Sequence, residues 1–64
     1  MLGLEHVMTV DEVADLLRVH IETVRRWLRS GQLRGIDVGR SWRIREQDLR
    51  EFMEARMNKE RRVK

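Results

Sequence analysis

The spacing of apolar residues changes once along this 64-residue chain, and that change decides most of what it can fold into. From Val10 to Leu28 they recur at the three-to-four-residue interval of helices; beyond Leu33 they alternate with charged residues. The helical part is itself broken at Arg18-Val19, so two short helices meet across a tight turn. A chain with this pattern is a small helical body carrying a β-hairpin.

The first helix is predicted from "TVDEVADLLRV". Thr9 is its N-cap and Glu12 the partner of a capping box, while Val10, Val13, Ala14 and Leu17 face inward. Asp11, Glu12 and Asp15 suit the positive end of the helix dipole. The second helix is predicted from about Ile21 to Ser30 in "HIETVRRWLRSGQL". At ~100° per residue, Ile21, Val24, Trp27 and Leu28 fall on one arc of about 120°. The other arc carries Arg25, Arg29, Glu22, Arg26, Ser30 and Thr23, with Glu22, Arg26 and Arg29 near its middle. Gly31 stands where a left-handed C-cap is expected. His20 takes the N-cap position with poorer chemistry than serine or aspartate.

In "LRGIDVGRSWRIR", Ile36, Val38, Trp42 and Ile44 alternate with Asp37, Arg43 and Arg45, as in a half-buried strand. Gly39-Arg40-Ser41 interrupts the alternation and reads as a hairpin turn, with Arg40 at the tip and Arg43 on the same solvent side. A two-stranded wing is predicted. A third helix follows from about Glu46 or Gln47 to about Met57, its stripe of Leu49, Phe52, Met53 and Met57 covering the other elements. Trp27 and Trp42 lie on apolar faces and read as core rather than base-stacking platforms. The expected organisation is a leader at 1–8 that includes His6, one folded domain at 9–57, and a basic flexible tail at 58–64.

At this length the chain is one domain, close to the lower size for folding without a staple. It has no cysteine, so neither disulfides nor thiolate metal sites are available. His6 and His20 have no histidine partner at ligand spacing, and no metal or cofactor is expected. So small a body leaves no volume for an enclosed substrate pocket, which argues against an enzyme. No apolar run reaches the roughly 20 residues of a membrane span, and "MLGLEHVM" is unlike a signal peptide. A soluble, cytoplasmic protein without a membrane partner is expected.

The net charge of +3 hides a segregation of signs. Residues 1–17 carry −4, residues 18–45 carry +6, residues 46–57 carry −2 and residues 58–64 carry +3. Positive charge concentrated on the second helix, the wing and the tail implies a polyanionic partner. Twelve of the fourteen basic residues are arginine, whose planar fork suits bidentate contact with phosphate or guanine, although a GC-rich genome would produce the same bias.

A helix, a tight break, a basic amphipathic helix and an arginine-tipped hairpin together describe a winged helix-turn-helix: mainly α, three helices plus a two-stranded antiparallel hairpin. Such motifs set the second helix in the major groove of double-stranded DNA. A hairpin tip beside it can reach the backbone or the minor groove, which attracts arginine where it is narrow. Over residues 9–53 the chain resembles the winged-helix domain shared by phage excisionases and the DNA-binding heads of MerR-type regulators. "ETVRRW", and "VGRSWRI" followed by a helix, carry the resemblance most specifically.

The resemblance implies base-edge contact by Glu22, Arg26 and Arg29, the three positions that the projection also centres on the polar strip. It implies a phosphate contact for Arg25, a phosphate or thymine-methyl contact for Thr23, and minor-groove entry for Arg40. Arginine can take guanine O6 and N7 together and glutamate can accept from cytosine N4. Ser41 and Arg43 complete the wing's contacts, and His20 and Arg45 are candidate phosphate contacts. Phosphate contacts of this kind supply affinity and salt dependence more than sequence information.

Three functions are consistent with these features. The first is an excisionase-like recombination directionality factor, a phage protein in a bacterial host that bends DNA, associates cooperatively with its own copies on it and steers an integrase. The second is a small stand-alone MerR-like transcriptional regulator, without the dimerisation helix and effector domain of larger relatives. The third is a protein- or RNA-binding module, disfavoured for double-stranded RNA because that major groove is too deep and narrow for a helix.

Overall fold

The computed structural model describes residues 6–57. Strand β1 (Val7–Thr9) runs directly into helix α1 (Val10–Leu17), and a short turn leads to helix α2 (Ile21–Ser30). Strands β2 (Ile36–Asp37) and β3 (Trp42–Arg45) form the hairpin, and β3 passes without a loop into helix α3 (Glu46–Arg56). The winged helix-turn-helix architecture is as the sequence implies.

Both predicted helix starts follow from local chemistry. The Thr9 side chain accepts from the Glu12 backbone N–H at 3.1 Å, and the Glu12 carboxylate accepts from the Thr9 N–H at 2.9 Å, a complete capping box. His20, expected to cap poorly, does cap: its Nδ1 accepts from the Glu22 N–H at 3.1 Å. An imidazole with its proton on Nε2 presents the same lone pair to the helix end that a serine oxygen would.

The turn between α1 and α2 is closed by a Schellman pair. Arg18 N–H donates to Asp15 C=O at 3.3 Å and Val19 N–H to Ala14 C=O at 3.0 Å, with Arg18 in the left-handed region at φ 59°. Gly31 ends α2 with the same handedness, at φ 84°.

The sheet departs from the expected two strands. Its order is β1-β3-β2, all antiparallel, with Val7 opposite Arg45, Thr9 opposite Arg43 and Ile36 also opposite Arg43. Val7 and Met8, assigned to the leader by sequence, are therefore part of the fold, and β3 is a central strand. His6 lies beside it, exposed, with Nδ1 3.4 Å from a Glu46 carboxylate oxygen. The expected tail at 58–64 and the start of the leader lie outside the described residues.

Val10, Val13, Ala14, Val24, Leu28, Leu33, Ile44, Leu49 and Phe52 form the core. Leu17, Ile21, Trp27 and Trp42 pack half-buried around it. Four predicted core positions are not buried. Ile36 and Val38 are 45% and 51% exposed, because β2 is a two-residue edge strand with nothing packed on its outer edge. Met53 and Met57 are also exposed, because α3 extends beyond the small body that Leu49 and Phe52 cover.

Two further contacts hold α3 in place. Trp27 and Phe52 meet at a centroid distance of 4.8 Å, and the Arg56 guanidinium sits 4.0 Å above the Phe52 ring while bonding to Gln32. At the other end, Arg45 donates two hydrogen bonds, of 2.8 and 3.1 Å, to the buried carboxylate of Asp48. Gly35 packs closely beneath Leu28 and Trp42: a Cβ there would stand 2.6 Å from Leu28 Cδ2, so a larger residue would force that buried side chain to shift.

The Arg45 hydrogen bond holds the Asp48 carboxyl below the usual range, against the opposing effect of burial. A depressed carboxylate contributes stability that is present at neutral pH and lost as acid protonates it. Asp48→Asn is therefore expected to lower unfolding free energy by about 1–2 kcal/mol at pH 7. Its deficit relative to the parent should begin to shrink below about pH 4, where the unfolded chain takes up the proton first, and should disappear only at lower pH, once the depressed native carboxyl is itself protonated. Denaturant titrations across pH check this.

Candidate nucleic-acid interface

Helix α2 separates its residues cleanly. Val24 and Leu28 are buried and Ile21 and Trp27 half-buried, while Glu22, Arg25, Arg26 and Arg29 are exposed and Thr23 is partly so. The core contacts of one face leave the opposite face free to meet a partner.

The charges on that outer face are not equivalent. Glu22 accepts from Arg25 at 2.8 Å and lies 3.9 Å from Arg29. The hydrogen bond from Arg25 is the main reason the Glu22 carboxyl is held below its usual range. Arg26 has no hydrogen bond or ion pair among the described residues. It is the unneutralised cation at the centre of the strip.

The hairpin turn is built by two bonds: Val38 N–H donates to Ser41 C=O at 2.9 Å, and Gly39 N–H to the Asp37 carboxylate at 3.0 Å. Gly39 has φ 96°, which a glycine adopts without strain. Together these hold Arg40 exposed at the tip, again without a partner among the described residues. Arg43 folds back instead, donating to the Ser41 hydroxyl at 3.1 Å and the Trp42 carbonyl at 3.0 Å. It braces the hairpin, and Ser41 is engaged in the same brace.

An open groove of about 240 Å³ joins these pieces. Arg25 lines it from α2, and Arg40, Ser41 and Arg43 line it from the hairpin. Its third wall, missed by the sequence reading, is the start of α1 at Thr9, Val10 and Asp11. The β1–β3 register places it there by setting Thr9 opposite Arg43, a long-range pairing that a three-residue strand does not advertise. Three guanidinium groups against the single carboxylate of Asp11 give this groove a net positive charge, and Arg25 joins it to the outer face of α2.

Of the two candidate phosphate contacts, His20 is exposed with Nδ1 committed to the cap, which leaves Nε2 to face solvent. Arg45 is bonded to Asp48 on the α3 side, so the structure gives it a bracing role. Among the described residues there is no cluster of three metal-ligating side chains, and no helix is long and apolar enough to cross a membrane.

Three helices, a tight left-handed turn between the first two and a strand wing define a winged helix-turn-helix protein. The family described as "Helix-turn-helix domain" matches residues 7–57, and the chain belongs to that family. It is also similar to proteins of two strains of Mycobacterium tuberculosis that carry provisional names as DNA-binding proteins. Each is 40% identical over 48 residues, covering 75% of this chain and 62% of the relative. The chain thus spans less than two thirds of their length. No solved structure matches it.

The cap gives a direct test of His20. His20→Ala should lower stability by about 1 kcal/mol and His20→Ser should restore it. If His20 only caps, His20→Ser keeps full nucleic-acid affinity; a loss of affinity at restored stability assigns Nε2 to a phosphate.

Proposed function

We propose that this chain binds double-stranded DNA sequence-specifically, with α2 in the major groove and the Arg40 tip in the adjacent minor groove. The observation that carries this reading is the exposed arginine face of α2 beside the groove that Arg25 shares with Arg40 and Arg43, with the Arg26 and Arg40 guanidinium groups unpartnered among the described residues. The names carried by the mycobacterial relatives agree with the reading.

In this reading Arg26 and Arg29 contact base edges, joined by Glu22 once Arg25 turns from it to a phosphate. Thr23 adds a phosphate or methyl contact, and Arg43 and Ser41 stiffen the wing beside the backbone. Phosphate contacts then give affinity that falls with salt, while Arg26 gives discrimination of ~1–3 kcal/mol for a bidentate guanine contact. No bond is made or broken by the protein.

The finer role we infer is that of an excisionase-like recombination directionality factor. It would occupy neighbouring sites cooperatively, bend the DNA and direct an integrase toward excision, in the cytoplasm of a bacterial host. The match of "ETVRRW" and "VGRSWRI" to the excisionase pattern supports it. A stand-alone regulator of the same fold is the alternative outcome.

One set of measurements tests both levels. Arg26→Ala should weaken specific binding by about tenfold or more and random-sequence binding much less. Arg40→Ala should reduce the preference for A·T-rich flanks. Equal losses on every sequence would leave both as phosphate anchors. Footprinting on a phage attachment region, with excision scored in the presence of integrase, should show protection and stimulated excision. Protection without any effect on recombination favours the regulator.

A further inference from the structure

The α1–α3 side of the molecule carries an apolar groove that lies apart from the cationic surface and reaches down to the core at Leu49. Its floor is Met8 from β1, Leu16 from α1, and Leu49, Met53 and Met57 from α3. Leu16 is 59% exposed and Met57 60%, and with Met53 they line one groove, so the exposed apolar surface is contiguous. The floor continues past Met8 and Leu16 toward Val7 and Glu12. No residue of α2 or of the hairpin lines either part.

The charge around this groove is opposite to that of the protein as a whole. Glu12, Asp15, Glu46 and Glu54 stand at its edges against a single arginine, Arg50, on a chain whose net charge is +3. DNA is repelled from such a rim. Two copies packed groove to groove would set carboxylates against carboxylates, which disfavours a symmetric dimer through this face. An apolar strip with a cationic border is the complementary surface.

The shape adds a second constraint. Leu49, Met53 and Met57 are spaced at one helical turn each, and with Leu16 they make a channel between two helices, the setting in which amphipathic helices dock by i, i+3, i+4 and i+7 anchors. Methionine suits this because its flexible thioether adapts to different apolar faces. Five floor residues are well short of the roughly 800 Å² per partner of a stable interface. Binding here is therefore weak alone, and becomes effective for a partner already held nearby, as on the same DNA.

We propose that the Met8–Leu16–Met53–Met57 groove is a docking site for a cationic amphipathic helix of a partner protein. Docking itself stands apart from the DNA-binding reading; only co-assembly on DNA rests on it.

The test uses the full chain, isotope-labelled, titrated with a synthetic leucine–lysine helix that has one apolar face. The same helix with glutamate in place of lysine is the control. The leucine–lysine helix should shift amides around Leu16 and from Met53 to Met57 while leaving Arg26 and Arg40 unmoved. The combined variant Leu16→Ser, Met53→Ser should weaken binding by about tenfold. Asp15→Asn with Glu54→Gln should weaken it in a salt-dependent way. Both variants alter exposed side chains and should keep their melting temperature and their affinity for duplex DNA. The proposal is overturned if the helix does not bind, if the glutamate helix binds equally well, or if shifts spread over α2 and the hairpin. It is also overturned if sedimentation shows a dimer of the free chain that Leu16→Ser, Met53→Ser abolishes, since the groove then belongs to a second copy.

Discussion

Strand β3 is the element on which the rest of the structure depends. It pairs with β1 on one edge and β2 on the other, buries Ile44 completely, and continues as α3 with no intervening loop. A pairing slip of one residue would turn Ile44 outward and Arg43 inward, so the register is tightly specified. That register sets Thr9 opposite Arg43 and thereby brings the start of α1 to the base of the wing. The Arg45–Asp48 clamp then holds the strand-to-helix corner. The position of the wing relative to α2 is a consequence of this one short strand.

The second requirement is a helix that serves two surfaces. Helix α2 spans ten residues and supplies Val24 and Leu28 to the core, yet bears three arginines. The helical period resolves the conflict, because core and charged residues project on opposite arcs. Glu22 neutralises part of the charged arc and leaves Arg26 bare. Four of the remaining carboxylates, Glu12, Asp15, Glu46 and Glu54, gather around the α1–α3 groove.

Much of this was legible in the residues. The capping box at Thr9 and Glu12, the limits of α2, the glycine cap and the hairpin turn all depend on contacts within a few residues, and local pattern reports such contacts faithfully. The third strand was not legible, because Val7-Met8-Thr9 is too short for alternation to register and its partner lies over thirty residues away. The exposure of Ile36 and Val38 was missed for a related reason: alternation reveals a strand but not whether anything packs on its face. Met53 and Met57 continued a perfect helical stripe, and only the size of the body shows that the stripe outruns the core. His20 was misjudged from general cap preferences, which do not register that an imidazole nitrogen can accept as well as a hydroxyl.

The central claim is that the outer face of α2 and the hairpin tip form one nucleic-acid surface, distinct from the α1–α3 face. The most direct measurement is amide and arginine side-chain shift mapping of the labelled chain titrated with a short DNA duplex at low salt. The account predicts changes at Arg25, Arg26, Arg29 and Arg40 and at the start of α1, with Leu16 and Met53 unmoved. Changes centred on α3 and its groove, with the Arg26 and Arg40 guanidinium signals unaffected, would contradict it.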